Sequence, residues 1–310
     1  MEIQNILIAG KLANAMKEQI NADAYRQEFR FKPAPEVTVD DLQWADAYVS
    51  FEPTANFDFY NLKWVHSFGA GVNPYVYNRE WKQDVLLTRT VCSFGSRISQ
   101  YCLSYYLKDM QEHDYFRAHQ NEKKWQPKEP QLINGQKVMV YGTGEIGQEV
   151  AKIFSTIGMD VVGVSLSGKQ KDYFRDVYAV STETEELHDA DLVINTLPLT
   201  DSTEQLFGEE FFTRLTHAVF INVGRGSSIV DDALLRALDD GRIRLAVLDV
   251  FREEPLPKGN RLWNHENVLI TPHISAVTTV EEAAECFLDT LNTIENNGVL
   301  HNKVDVTRGY

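Results

Sequence analysis

The sequence predicts an α/β protein built on parallel β-sheets. Three observations carry this prediction: short apolar runs of strand length recur along the chain, polar segments long enough for a helix separate them, and one glycine-rich turn lies between a predicted strand and a predicted helix. This alternation continues to about residue 271. It indicates a small parallel sheet in the N-terminal part and a doubly wound parallel sheet in the C-terminal half.

The N-terminal part contains apolar runs at residues 6–9, 47–51 and 64–68, which we expect to be strands. Residues 96–119 are expected to form one long amphipathic helix, because apolar side chains recur there at spacings of three and four. These side chains are Ile98, Tyr101, Cys102, Tyr105 and Tyr106. We expect this helix to lead from one lobe of the protein to the next.

The bulk composition excludes several classes of protein. The formal net charge of −15 would repel a phosphate backbone, so nucleic acid is not an expected partner. The three cysteines, Cys92, Cys102 and Cys286, lack C-x-x-C spacing, so neither a metal site nor a disulfide framework is expected. No apolar stretch approaches the ~20 residues of a membrane span, and the first residues lack the cationic start of a signal peptide. We therefore expect a soluble, cytoplasmic protein without a membrane partner.

The glycine-rich turn reads Gly142-Thr143-Gly144-Glu145-Ile146-Gly147 and follows an expected strand at residues 137–141. A helix to residue 157 and a second strand at 160–165 complete a strand, helix, strand unit. In this context Gly142 permits the turn, Gly144 lets the backbone approach a pyrophosphate, and Gly147 packs the helix on the sheet. The helix N-terminus, with Glu145 and Ile146 in its first turn, would face the anion. The unit therefore predicts a dinucleotide site.

The segment that follows the second strand bears on the choice of dinucleotide. An acidic residue that would bind the ribose 2′-hydroxyl of NAD is missing about 20 residues after the glycines. Ser165, Ser167 and Lys169 stand there instead. Two hydroxyls and an ammonium group could hold a 2′-phosphate, so we expect NADP(H) to be preferred over NAD(H). The alternative is a polar loop with a solvated lysine and no part in binding.

Further strands are expected at residues 192–196, 219–223, 245–250 and 268–271. Three segments with chemically active side chains lie where these strands end: L-P-L-T with Thr203, then N-V-G-R-G with V-D-D-A-L, and then D-V-F-R-E-E-P-L-P leading to T-P-H-I-S. In open parallel sheets ligands bind at the carboxyl ends of the strands.

Together with the glycines, and in this order, these segments closely resemble the D-isomer-specific 2-hydroxyacid dehydrogenase family. The resemblance covers most of the chain, including S-F-G-A-G-V at residues 67–72. It implies two lobes, Rossmann-like and flavodoxin-like, with a cleft between them. Residues 1–92 and 275–310 would form the substrate lobe, and residues 93–274 the dinucleotide lobe. Homodimers are common in the family, with the region of the 96–119 helix at the interface.

The resemblance also assigns roles to residues. Arg225 matches the arginine that holds the substrate carboxylate, Glu254 the acid partner, and His273 the proton donor. The backbone N–H groups of Ala70 and Gly71 would take the other carboxylate oxygen. Further cofactor-binding candidates are Leu197, Pro198, Thr203, Val223 and Asp249, of which Asp249 either touches the nicotinamide side or caps a loop.

These residue types suit the reaction that the resemblance implies, which is hydride transfer between NAD(P)H and a small 2-oxo or D-2-hydroxy acid such as glyoxylate, hydroxypyruvate or pyruvate. Hydride arriving at a ketone carbon leaves an alkoxide, which needs a general acid such as His273. Arg225 can bond two oxygens of a planar carboxylate at once. Two alternatives remain: an NAD(H)-sensing corepressor of the same fold, and a formate or phosphite dehydrogenase. Formate-oxidising relatives carry glutamine where Glu254 stands.

Overall fold

The computed structural model describes residues 1–182 and 185–309. Its strands are β1 (Asn5–Ala9), β2 (Glu28–Lys32), β3 (Ala47–Ser50), β4 (Trp64–Ser67), β5 (Leu86–Arg89), β6 (Lys137–Tyr141), β7 (Asp160–Ser165), β8 (Asp176–Ala179), β9 (Leu192–Asn195), β10 (Ala218–Asn222), β11 (Ile243–Leu248) and β12 (Val268–Ile270). Its α-helices are α1 (Ala13–Gln19), α2 (Val39–Trp44), α3 (Asn73–Val76), α4 (Phe94–Met110), α5 (His113–Asn121), α6 (Glu145–Thr156), α7 (Glu209–Thr213), α8 (Asp231–Asp239) and α9 (Val280–Glu295). The α/β class expected from the sequence is confirmed.

The chain divides into two compact units. The first comprises Met1–Cys92 and Thr278–Tyr310, and the second comprises Ser93–Val277. The second unit therefore extends three residues beyond the boundary at 274 that the family resemblance implies, while residue 310 lies outside the described residues.

The first unit is a five-stranded parallel sheet with the order β2-β1-β3-β4-β5. This is the flavodoxin-like order, in which the chain reverses direction across the sheet next to its first strand. One face packs against α1 and α9 around Trp64, whose ring stacks on that of Phe287 with centroids 5.5 Å apart. The other face packs against residues of α2 and α3, among them Leu42 and Tyr75. Helix α9, from the end of the chain, thus completes the core of the first unit.

A buried carboxylate, Asp41, lies in the first turn of helix α2. Thr38 caps the helix, its hydroxyl and N–H both donate to Asp41, and Arg30 and Lys32 donate to the same carboxylate at 2.9 and 2.6 Å. Burial alone would raise the pKa of Asp41, but the hydrogen bonds from Lys32, Thr38 and Arg30 outweigh it and hold that pKa well below its ordinary value. The ionised carboxylate therefore ties β2 to α2.

The second unit is a seven-stranded parallel sheet with the order β12-β11-β10-β9-β6-β7-β8. Its first strand in the chain, β6, lies between β7 and β9, so the strand order reverses direction there. This is the order of a Rossmann fold with one added strand, and ligands bind outside the carboxyl ends of the strands at such a reversal. Apolar clusters cover both faces of the sheet.

The single helix expected at residues 96–119 is wrong, because the structure contains two helices there. Helix α4 ends at Met110 and α5 begins at His113. Between them Glu112 has a φ of 56°, the left-handed conformation, which interrupts a right-handed helix. The amphipathic character of α4 is confirmed, since Ile98, Cys102 and Tyr106 are buried on one side.

Candidate active site

The glycine-rich turn connects β6 to α6 at the point where the strand order reverses. Gly142 has a φ of +102°, and a Cβ on it would lie 2.5 Å from the hydroxyl oxygen of Thr196, so only glycine fits. A Cβ on Gly147 would lie 1.8 Å from the carbonyl oxygen of Gly142, which places the helix directly against the turn. The first and third glycines are thus required by packing within the protein.

The second glycine differs, and its surroundings fit a ligand. Gly144 is the N-cap of α6, and a Cβ on it would meet no atom within 4 Å. Glu145 is exposed and Ile146 half-buried in the first turn of the helix, whose N–H groups have no acceptor within the helix. The open space at Gly144 and the positive end of the helix suit a diphosphate. The residues present therefore fit a dinucleotide.

The loop after β7 contains the residues that were expected to select NADP(H). Ser165 accepts a hydrogen bond from the N–H of Gly168 at 3.2 Å, and Ser167 accepts one from the N–H of Lys169 at 3.3 Å. Gly168 has a φ of +63°, which closes this turn. Ser167 and Lys169 are exposed and Ser165 is half-buried. The loop presents two hydroxyls and one ammonium group beside the strand that neighbours β6.

The segment after β9 supplies Leu197, Pro198 and Thr203, all of them partly or largely buried. The hydroxyl of Thr203 lies 2.6 Å from the carbonyl oxygen of Pro198, to which it donates, and accepts from the N–H of Thr200 at 2.8 Å. Val223, buried at the end of β10, donates its N–H to the carbonyl of Asn195 at 3.1 Å. These contacts give the edge of the sheet a defined shape between the glycine-rich turn and Arg225.

A network of buried amides, which the sequence reasoning missed, supports this edge. Asn195 ends β9 and Asn222 ends β10, and the amide of Asn195 donates to Asn222 at 2.8 Å and to Ser228 at 2.9 Å. Asn222 and Ser228 in turn donate to the carbonyl of Arg225, and Asn195 accepts from the N–H of Leu197. The available signal was an asparagine directly after isoleucine at the end of two apolar strands.

The loops that carry Arg225 and Glu254 touch each other. A Cβ on Gly226 would lie 1.9 Å from the carbonyl carbon of Phe251, so the backbone after β10 lies against the backbone after β11. Arg225 is half-buried and donates through Nη1 to the carbonyl of Gly224 at 2.6 Å. Its positive charge is also near enough to Glu254 to lower the pKa of that carboxyl.

Glu254 and His273 form a hydrogen-bonded pair. Nδ1 of His273 lies 2.7 Å from Oε2 of Glu254, and Oε1 of Glu254 accepts from the N–H of Phe251 at 2.8 Å. Partial burial would raise the pKa of Glu254, but the hydrogen bonds from His273 and Phe251 and the charge of Arg225 lower it by more, so the net shift is downward. Glu254 is therefore ionised at neutral pH, and Nδ1 of His273 donates to it.

Asp249 organises the loop around His273. Its carboxylate is fully buried and accepts from the N–H groups of Ile274 and Ser275 at 2.8 and 2.9 Å, and from the hydroxyl of Thr271. Its carbonyl accepts from the N–H of His273 at 2.9 Å. Of the two roles expected for Asp249, these contacts favour the loop cap.

The structure therefore brings Arg225, Glu254 and His273 together at the carboxyl ends of β10, β11 and β12, within one unit. Ala70 and Gly71 belong to the first unit, where they follow β4 at the carboxyl edge of its sheet. Arg89 donates to the carbonyl of Ala70 at 2.9 Å and so holds that loop.

The described residues contain neither a metal-binding cluster nor a membrane-spanning helix. Within residues 1–182 and 185–309, no group of three or more His, Cys, Asp or Glu side chains is arranged to hold a metal ion. Among the same residues, no helix has the length and apolar character needed to cross a membrane.

Comparison with known proteins identifies the family. Residues 103–275, more than half of the chain, match the profile described as "D-isomer specific 2-hydroxyacid dehydrogenase, NAD binding domain". The chain belongs to this family. A relative named glyoxylate/hydroxypyruvate reductase A, from Serratia proteamaculans, is 31% identical over 256 residues, covering 80% of this chain and 82% of the relative. The family resemblance noted in the sequence is thereby confirmed.

Solved structures of family members match the whole fold. A D-isomer specific 2-hydroxyacid dehydrogenase from Xanthobacter autotrophicus, in complex with NADPH and MES, superimposes with a TM-score of 0.88 at 28% identity over 100% of both chains. An NADPH-dependent glyoxylate/hydroxypyruvate reductase from Sinorhizobium meliloti, in complex with NADP and sulfate, gives 0.86 at 27% identity over 99% of this chain and 100% of that one. The family consists of NAD(P)-dependent oxidoreductases, and this chain has its two-sheet α/β fold.

Proposed function

We propose that this dehydrogenase reduces small 2-oxo acids, such as glyoxylate, hydroxypyruvate or pyruvate, to D-2-hydroxy acids with a preference for NADP(H). The observation that carries the proposal is the 2.7 Å hydrogen bond between Nδ1 of His273 and the ionised Glu254, with Arg225 beside it. The three side chains stand at the carboxyl edge of a sheet whose glycine-rich turn fits a dinucleotide.

His273 is the proposed proton donor. Because Nδ1 is held by Glu254, Nε2 is the nitrogen that exchanges a proton with the substrate. Reduction of the keto group places negative charge on its oxygen, and the imidazolium neutralises that charge by giving up the Nε2 proton. Glu254 stabilises the imidazolium and fixes the orientation of the ring.

Arg225 is the proposed carboxylate-binding residue. Its guanidinium can donate two parallel hydrogen bonds to a carboxylate and also places positive charge where the oxyanion develops. For the other carboxylate oxygen, the backbone N–H groups of Ala70 and Gly71, in the loop that Arg89 holds, stay a prediction of the family resemblance.

The glycine-rich turn and the first turn of α6 would hold the cofactor diphosphate, with Leu197, Pro198, Thr203 and Val223 along the edge that leads to His273. Bound NADPH supplies the hydride for the keto carbon. The preference for NADP(H) is supported by the hydroxyls of Ser165 and Ser167, by the Lys169 ammonium group, and by the lack of any carboxylate at residues 165–169. The NADPH and NADP bound in the two structural relatives support it as well.

The deciding experiment is a panel of 2-oxo acids assayed with NADPH and with NADH, followed by nicotinamide absorbance. We expect turnover of glyoxylate or hydroxypyruvate, faster with NADPH, and loss of most of it in Arg225→Lys, because a point charge cannot replace two parallel hydrogen bonds. Binding of NADPH without turnover of any acid would favour an NAD(P)(H)-sensing protein. An unchanged specificity constant in Arg225→Lys would contradict the assigned role.

We also propose that the protein is a homodimer. Support comes from two apolar side chains in the segment after α5, Trp125 and Leu132, which are 99% and 84% exposed in the single chain. The molar mass measured by light scattering during gel filtration tests this proposal, and the mass of one chain would contradict it.

A further inference from the structure

A line of hydrogen bonds runs from helix α4 to the loop that carries His273. The hydroxyl of Tyr101 lies 2.7 Å from that of Thr271, and the Thr271 hydroxyl lies 2.5 Å from Oδ1 of Asp249. The same carboxylate accepts from the N–H groups of Ile274 and Ser275, the two residues that follow His273. The line therefore joins residues 170 positions apart in the chain and ends beside the proposed proton donor.

The direction of these bonds follows from the number of protons. Thr271 has one hydroxyl proton, and it is given to the acceptor-only carboxylate of Asp249. Tyr101 must therefore be the donor to Thr271. Burial raises the pKa of Tyr101 above its usual value, so its hydroxyl keeps its proton throughout the range in which the enzyme would work.

The backbone at His273 needs such support. Its φ is +55°, in the left-handed region that costs energy for a residue with a side chain. Its N–H lies 2.9 Å from the carbonyl of Asp249 and 3.1 Å from that of Thr271. The backbone carbonyls of Thr271 and Asp249 thus hold the N–H of His273. Their side chains bond to each other, and the Thr271 hydroxyl also bonds to Tyr101.

We propose that Tyr101 and Thr271 are positioning residues for His273. Tyr101 fixes the Thr271 hydroxyl, which orients the buried carboxylate of Asp249, and that carboxylate sets the loop conformation in which the imidazole meets Glu254. The inference rests on the proposed function only in giving His273 the role of proton donor. Neither residue is required to touch substrate or cofactor.

The test compares two tyrosines of the same helix. Tyr101→Phe removes the hydroxyl at the start of the line, whereas Tyr106→Phe removes a buried hydroxyl that bonds to Gln136 and has no part in it. We expect both variants to lose some thermal stability. Only Tyr101→Phe should lose kcat for 2-oxo acid reduction, by about fivefold, which corresponds to about 1 kcal/mol. The KM for NADPH should stay the same in both.

Thr271 offers a conservative rescue. Thr271→Ser keeps the hydroxyl and should keep the wild-type kcat. Thr271→Val keeps a similar shape but lacks the hydroxyl, so its kcat should fall at least as much as that of Tyr101→Phe. The double variant Tyr101→Phe with Thr271→Val should be no slower than Thr271→Val alone, because both changes break one line. Equal kcat values for Ser and Val at position 271, or additive losses in the double variant, would overturn the proposal.

A readout independent of turnover separates this inference from the proposed function. In nitrogen-15 histidine spectra, the resonance of the hydrogen-bonded Nδ1 of His273 should shift in Tyr101→Phe and Thr271→Val and stay in place in Tyr106→Phe. If no 2-oxo acid is reduced by the wild type, the proposed function fails, and the spectra still decide whether Tyr101 positions His273. Unchanged spectra in both line variants would overturn the inference even in an active enzyme.

Discussion

The pairing of Glu254 with His273 allows a quantitative prediction for Glu254→Gln. Glutamine has nearly the same shape and can still accept from the N–H of Phe251, a bond of 2.8 Å in the wild type. The substitution removes the negative charge that lies beside the imidazole. Because that charge stabilises the imidazolium, its loss makes the protonated form of His273 less stable.

The size of the effect follows from geometry and exposure. With Nδ1 and Oε2 2.7 Å apart, the two charge centres are about 4 Å apart, a separation worth about 1 kcal/mol in water and about 4 kcal/mol at the dielectric of a protein surface. The His273 and Glu254 side chains are 51% and 35% exposed, so solvent screening favours the lower end. We therefore expect Glu254→Gln to remove about 1 to 2 kcal/mol of attraction between the two side chains.

The assay is the pH dependence of kcat/KM in both directions. Reduction should fall on the alkaline side and hydroxy acid oxidation on the acid side, and both limbs should lie at lower pH in Glu254→Gln than in the wild type. Glu253→Gln removes a neighbouring exposed carboxylate and is the control for general charge effects. If Glu254→Gln and Glu253→Gln give the same pH profiles as the wild type, Glu254 does not stabilise the imidazolium.

Three further predictions concern the cofactor site and stability. Gly147→Ala should lower both melting temperature and dinucleotide affinity, because its Cβ would lie 1.8 Å from the Gly142 carbonyl oxygen. Gly144→Ala, whose Cβ meets no atom within 4 Å, should lower dinucleotide affinity alone. Equal melting temperatures for the two variants would refute this. Ser165→Asp should reduce the NADPH-to-NADH ratio of kcat/KM by about tenfold or more through repulsion of the 2′-phosphate, and Ser165→Asn, its uncharged control, should not. Asp41→Asn should lower the free energy of unfolding by about 1 to 3 kcal/mol near neutral pH. The pKa of Asp41 is lower in the folded state than in the unfolded chain, so its contribution to stability is complete above the unfolded pKa and is lost as pH falls from there through the folded pKa. In urea unfolding, the free energies of the wild type and the variant should therefore converge in acid. A difference in free energy of unfolding that does not change with pH would contradict the assignment.

The strands that the sequence missed all lie at sheet edges, although one edge strand, β12, was predicted. Strands β6 and β7 were predicted at their observed bounds. Both are buried central strands, and the glycine-rich turn directly after β6 marks where that strand ends. The missed strands β2, β5 and β8 are all edge strands, and β2 and β8 have no fully buried residue. A strand with one neighbour buries less of its surface, so its apolar run is weaker and harder to read from the sequence.

The candidate site shows a similar limit. Its glycines and its ionisable side chains occur in short contiguous motifs, so their types and spacing could be read along the chain. The contacts that hold them, such as Tyr101 with Thr271 and Asn195 with Ser228, join residues far apart in sequence. The break at Glu112 was also missed, because no glycine or proline marks it.

The interrupted layout of the first unit has a consequence for how the protein is made. Domains generally fold as units while the chain leaves the ribosome, beginning with the N-terminal one. Here the second unit is one continuous stretch, Ser93–Val277, and can complete its core first. The N-terminal segment cannot complete its core before α9 is synthesised, because Phe287 of that helix stacks on Trp64 and both are buried. Until α9 has been synthesised, the apolar face around Trp64 stays uncovered, and a chain shortened before α9 would keep it so.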